Sequence, residues 1–242
     1  MIRNPDPPSV AEILRRLRAL ADRQARASYA YFKATPTKAL GVRAPLLHRL
    51  AREIGRNHEL ALKLWATGVH EAHSVAALID EPEKVTRRQM ERWARDFDSW
   101  DVVDSCCCYL FPYTHDAWKV IPAWSRRKEE FVKRAAFALL AYLAYKDKEA
   151  SDAEYLRHLP LIRRHATDHR NFVKKAVNWA LRNIGKRNRA LNAAAIAAAQ
   201  QIRSQVAPAC KDPQGRAAAL WCAADALREL QSSAVQRRLH KT

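Results

Sequence analysis

The sequence predicts an all-α protein built from a repeating helix pair, on three observations. Glycine occurs only 5 times in 242 residues, and no stretch sustains the apolar/polar alternation of a half-buried strand. Helix-start spacings recur: Ser9 before Glu12, Thr86 before Gln89 and Ser151 before Glu154 each set a hydroxyl three residues ahead of a Glu or Gln. In that spacing the two side chains satisfy the first free backbone N–H groups of a helix. A basic tetrad also returns at a fixed interval. Val132-Lys133-Arg134-Ala135 recurs 41 residues later as Val173-Lys174-Lys175-Ala176, and after another 41 residues Arg216-Ala217 stands where Lys175-Ala176 stood.

Apolar periodicity between these signals predicts helices at 9–24, 44–54, 58–67, 69–79, 86–97, 99–111, 115–124, 128–145, 152–165, 170–184, 190–206 and 214–231. Gly55, Gly68 and Gly185 fall where helices would stop. Lys33 to Pro45, with Pro36 and Gly41, reads as the longest early loop, and Arg237 to Thr242 as a basic tail. A helix pair repeating at about 40–47 residues is the HEAT/armadillo signature. One such pair cannot bury its apolar face alone, so pairs stack into a solenoid with a concave binding face. The expectation is a single HEAT-like, armadillo-like helical repeat domain over 1–242. The repeated cation would sit at equivalent places on successive second helices, giving a concave basic face that can track a phosphate backbone.

Composition narrows the partner. Lys plus Arg number 43 against 25 Asp plus Glu, a formal net charge of +18, and the sequence pI is about 10.1. Solubility requires neither this sign nor this size, so a polyanion is indicated: DNA, RNA or an acidic membrane surface. Hydrophobic residues at 48% support a folded chain. No segment approaches the roughly 20 apolar residues of a membrane span, and Met1 to Pro8 carry no signal-peptide pattern. The 5 cysteines include the neighbours Cys106, Cys107 and Cys108, a poor disulfide framework that suits a reducing compartment. Together these point to a cytoplasmic protein. On a helix the triplet fans out by about 100° per residue, which suits filling better than metal binding. No zinc spacing, P-loop or GxSxG is present, so neither a metal nor a cofactor is expected.

The segment with chemical promise is Ser99-Trp100-Asp101-Val102-Val103-Asp104. Trp100 and Asp104 are four apart and share a helix face, which joins an aromatic ring to a carboxylate on an otherwise cationic surface. Taken singly, Asp104 also reads as a counter-ion and Trp100 as core.

Four segments in order resemble the AlkD-type DNA alkylation repair glycosylases. Ser99 to Asp104 is similar to that family's W-D-x-x-D signature, and Leu40-Gly41-Val42-Arg43-Ala44-Pro45 to its G-[VI]-x-x-P turn. Phe131-Val132-Lys133-Arg134-Ala135-Ala136 resembles its x-[RK]-R-x-A helix. Lys174-Lys175-Ala176-Val177-Asn178-Trp179-Ala180-Leu181-Arg182 resembles its K-A-x-x-W-x-L-R helix. Ser99 stands where some members carry a second tryptophan, and the cysteine triplet is not a feature of the family.

The resemblance implies hydrolytic removal of N3- or N7-alkylated purines from double-stranded DNA by a monomer without a base-flipping pocket. Such a base is already cationic and leaves without a proton from the enzyme, while oxocarbenium character grows on the deoxyribose. A nearby carboxylate stabilises that charge and orients water. The family's pattern assigns this role to Asp104, with Trp100 and Trp179 packing on the sugar. Arg134 would hold the flanking phosphate, and Lys133, Lys174, Lys175, Arg182 and Arg216 would supply further backbone contacts. Two other readings share the fold: a repeat protein that binds DNA without catalysis, and a scaffold for an acidic protein partner.

Overall fold

The computed structural model describes residues 8–31 and 38–240. Among them every regular element is a helix. The chain packs as two compact units, Met1–Asp116 and Ala117–Thr242.

In the first unit, the helix expected over 9–24 ends early as α1 (Val10–Ala19), and a separate α2 (Arg23–Tyr31) begins near its expected end and runs on where no helix was expected. The break has a local cause: the Asp22 carboxylate accepts the N–H groups of Gln24 and Ala25 at 2.8 and 3.1 Å, so it caps a new helix. The expected loop from Lys33 to Pro45 lies partly outside the described residues. α3 (Ala44–Ile54), α4 (His58–Trp65), α5 (His70–Ile79), α6 (Arg87–Arg95) and α7 (Trp100–Tyr109) follow. Ser9 and Thr86 cap α1 and α6 as their spacing predicts. Gly55 and Gly68 close α3 and the turn after α4 with φ of 77° and 66°. α5 is the centre of this unit, in contact with α1, α3, α4 and α7. Its C-terminal Asp80 is fully buried and accepts from Gln89 and the ring of His58, both at 2.6 Å, tying α4 and α6 to one carboxylate. Cys106 and Cys107 are buried in α7, filling as expected, and all five cysteines are free thiols.

The second unit comprises α8 (Ala117–Ser125), α9 (Glu130–Lys146), α10 (Asp152–Leu156), α11 (Leu159–His165), α12 (Asn171–Gly185), α13 (Arg189–Gln201), α14 (Ala207–Ala209), α15 (Pro213–Leu230) and α16 (Ser233–Leu239). The helix expected over 152–165 is interrupted before Pro160, and the one over 190–206 passes into a wide π-type turn at Ile202–Val206. The residues taken for a basic tail are helical as far as Leu239, because Ser232 accepts the N–H of Val235 and starts α16. The helix pairs stack in two layers. α9, α12 and α15 pack side by side, and α8, α11 and α13 lie against them. Gly185 does not stop a helix by a left-handed turn. A Cβ there would lie 2.7 Å from Leu230 and 2.8 Å from Ala195, so glycine lets α12 approach α13 and α15.

The 41-residue register holds for one step and then changes. α9 and α12 begin at Glu130 and Asn171, and buried Val132, Ala135 and Ala136 correspond to buried Val173, Ala176 and Val177. α15 begins at Pro213, 42 residues after Asn171, and buries Gly215, Ala218 and Ala219. One additional residue before α15 turns the pattern by about 100° on the helix. Arg216 is therefore the counterpart of Lys174, not of Lys175, whose place falls to Ala217. The same step makes Trp221 the counterpart of Trp179.

Candidate nucleic-acid interface

In the first unit the site is the N-terminal half of α7. Ser99 is fully buried at its N-cap and donates its hydroxyl to Asp101 at 2.5 Å. Asp101 also accepts from Tyr29 at 3.1 Å and pairs with His70 Nε2 at 2.8 Å. His70 Nδ1 lies 3.8 Å from Asp98. Burial of the His70 ring opposes its charge, but the hydrogen bond to Asp101 and the nearby carboxylates of Asp98, Asp101 and Glu71 outweigh it and raise its pKa to about 9. Burial likewise works against the Asp101 carboxylate, yet His70, Ser99 and Tyr29 hold its pKa below the ordinary value. Asp101 is thus spent on clamping α7 to α5 and α2. Trp100 and Asp104 stand one turn apart on the half-open side of the helix, with Ser105 and Cys108.

The turn from Leu40 to Pro45 has a structural role in the same unit. Glu71, fully buried in the first turn of α5, accepts the backbone N–H of Leu40 at 2.9 Å, Gly41 at 2.6 Å and Val42 at 3.2 Å. Gly41 sits at φ +86°, where a Cβ would lie 2.3 Å from the Asp22 carbonyl, so no other residue fits. Neither this clamp nor the His70–Asp101 pair was foreseen. The Leu40–Pro45 turn and Asp101 stood out in the sequence, but their partners Glu71 and His70 did not.

In the second unit the structure separates the expected cations by their partners. Arg134 is buried, 6% exposed, and Nη1 donates to the Phe172 carbonyl at 3.0 Å. Its guanidinium joins α9 to the start of α12, whereas a phosphate-holding arginine was expected to face outward. Lys133 pairs with Asp168 at 3.2 Å. Burial works to raise the Asp168 carboxyl, but Arg170 and Lys133 outweigh it and keep its pKa low. Arg182 pairs with Glu229 and reaches Asp225 at 3.6 Å, an ion pair between α12 and α15. Three cations remain outward. Lys175 is exposed, Arg216 is exposed with Nη2 on the Cys210 carbonyl at 3.0 Å, and Lys174 places its ammonium 4.9 Å above the Trp221 ring. Trp179 is half-buried, edge-on to Tyr142 at 4.8 Å between ring centres.

Beside Trp221 a groove of about 440 Å³ is lined by His169, Lys174, Gln214, Ala217 and Ala218. A 41-residue step does not single out Trp221, since it places Leu220 opposite Trp179. The helix starts seen in the structure reveal it, since Asn171 to Trp179 and Pro213 to Trp221 are equal intervals, whereas the expected starts at 170 and 214 do not. Among the described residues no three His, Cys, Asp or Glu side chains gather as a metal-ligand set, and no helix is long and apolar enough to cross a membrane.

Residues 13–228 match the sequence family described as "DNA alkylation repair enzyme". No curated protein matches the sequence. A solved structure described as "a new family of proteins related to the HEAT-like repeat DNA glycosylases with affinity for branched DNA structures" superposes with a TM-score of 0.71. Its sequence identity is 21%, and the alignment covers 80% of this chain and 83% of that one. The likeness shows the fold, an all-α stack of HEAT-like repeats.

Proposed function

We propose, because the chain belongs to the DNA alkylation repair enzyme family, that it binds double-stranded DNA as a monomer and releases N3- or N7-alkylated purines by hydrolysis. The observation that carries the reading is the division of labour on α7. Asp101 holds the helix in place, and Asp104 and Trp100 stand one turn apart on its half-open side. A carboxylate placed there suits the developing oxocarbenium of the deoxyribose, and the indole face adds a weaker attraction of the same sign. The leaving base brings its own positive charge, so no general acid is required and neutral lesions such as uracil are refused. In the second unit Lys174, Lys175 and Arg216 supply phosphate contacts, and Trp179 an aromatic one. Lys133, Arg134 and Arg182 act on this reading by positioning α9, α12 and α15.

Asp104→Asn keeps the shape and removes the charge. Release of 7-methylguanine from duplex DNA should fall a hundredfold or more, about 2.7 kcal/mol of transition-state stabilisation, while DNA affinity holds or rises slightly. Release at the parent rate would sink the assignment. A second reading, binding without base release, is favoured by the structural neighbour's described affinity for branched DNA. It requires the parent protein to release neither 7-methylguanine nor 3-methyladenine while still binding DNA.

A further inference from the structure

Trp221 is 39% exposed and its neighbour Leu220 is 44% exposed. Packing gives no reason for this apolar surface: α15 buries Ala218, Ala219, Cys222 and Ala223 instead. An exposed tryptophan in a helix interior is the kind of surface that a partner covers. Its surroundings state which partner. Lys174 lies over its ring at 4.9 Å, and Arg216 and Lys175 are exposed on the same pair of helices. The acids near it are engaged: Asp212 is taken up by His169 at 3.3 Å and by the N–H groups of Gln214 and Gly215, and Asp225, one turn along α15, by Asn178 and Arg228.

The repeat explains how the space arises. Trp221 leans toward the start of its helix, as long side chains in helices do, over the positions one turn earlier. In α12 the equivalent position carries Lys175; in α15 it carries Ala217, with Ala218 beside it. One methyl group in place of a long cationic chain, beside an alanine common to both helices, leaves the groove of about 440 Å³ open against the indole. That volume lies within the roughly 300–1,000 Å³ range of small-ligand sites. Gln214 and His169 line it with hydrogen-bonding groups, and Lys174 stands at its edge.

We infer that this groove holds one unpaired nucleobase of a DNA strand, stacked on Trp221 with its phosphate met by Lys174 and Arg216. This rests on the DNA-binding reading above and extends it: the second unit distinguishes a strand with an unpaired base from a fully paired duplex. A planar aromatic platform beside cations serves any base, because every base has a π face, and recognition is of the unpaired state, not of sequence. An acidic peptide would use the cations but leave the indole without a planar partner.

The experiment uses the full chain and two duplexes of equal length, one fully paired and one with a single extrahelical 2-aminopurine. The parent should bind the second on the order of tenfold more tightly, the scale of one base–aromatic stack, and should quench the 2-aminopurine fluorescence on binding. Trp221→Ala should bring the affinity ratio to about one and abolish the quenching, and Trp221→Phe should restore part of both. Equal affinity of the parent for the two duplexes, or a preference and quenching that survive in Trp221→Ala, overturns the inference while leaving the DNA-binding reading intact. Absence of binding to either duplex overturns both. The base-release reading is decided separately, by Asp104→Asn.

Discussion

At the scale of the residue, the pair that orders the start of α7 makes its stability depend on pH. His70 has its pKa raised to about 9 from an ordinary 6.5. Its charged form is therefore favoured by folding, and the stability it contributes is full below pH 6.5 and lost as the pH rises through about 9. Asp101 has its pKa lowered, so its contribution is present above the ordinary carboxylate range and lost only in stronger acid. Both are intact in mildly acidic solution. The unfolding temperature should fall as the pH is taken from about 6.5 to 9, and His70→Gln should remove most of that fall while lowering the starting value. Thermal melts at a series of pH values check this, and an unaltered pH profile in the variant would contradict the pairing. Asp101 was legible as part of a W-D-x-x-D string. Its role was not, because the partners Tyr29 and His70 come from helices far back in the chain.

At the scale of the element, cations that look alike in sequence separate into two kinds once α9, α12 and α15 are packed. Arg182 faces Glu229 and Asp225 across a helix pair, so Arg182→Ala takes one shared cation from two half-buried carboxylates, leaving Lys186 on Glu229 and Arg228 and Asn178 on Asp225. Lys175 is exposed and has no acidic partner among the described residues. Arg182→Ala should therefore lower stability by about 1–3 kcal/mol. Lys175→Glu should leave stability within about 0.5 kcal/mol and weaken DNA binding severalfold. Chemical denaturation and a DNA titration on each variant test the division, which fails if the two variants exchange effects. The helices themselves were largely readable. Capping residues and apolar periodicity placed nearly all of them, and the breaks at Asp22 and before Pro160 carry local signals that a longer periodic stretch concealed.

At the scale of the whole molecule, the charge of +18 has a thermodynamic signature distinct from any single contact. If about 6 phosphates are neutralised, the logarithm of the DNA association constant should fall with the logarithm of salt concentration at a slope near −5. Binding isotherms between low and moderate salt measure it. A slope near −1 would mean that the surplus cations are not arranged for a nucleic acid. Because Lys133, Arg134 and Arg182 are engaged inside the helix layers, substitution of Lys174, Lys175 or Arg216 should each make the slope shallower by about one.

By itself the sequence determined the helical class, the repeat, the basic character and the order of the family-like segments. These follow from composition and from periodicities of a few residues, which local sterics and capping translate into structure directly. The tertiary structure alone decided which polar groups face outward. Arg134 and Lys175 occupy equivalent repeat positions, yet one is buried against a carbonyl and the other is solvated, because burial depends on what the neighbouring repeat brings against that face. A single additional residue ahead of α15 turned its face by about 100°. That exchanged Lys175's counterpart for an alanine and set Trp221 in register with Trp179. Helical phase accumulates one residue at a time, and only packing against the adjacent helix shows where the count begins.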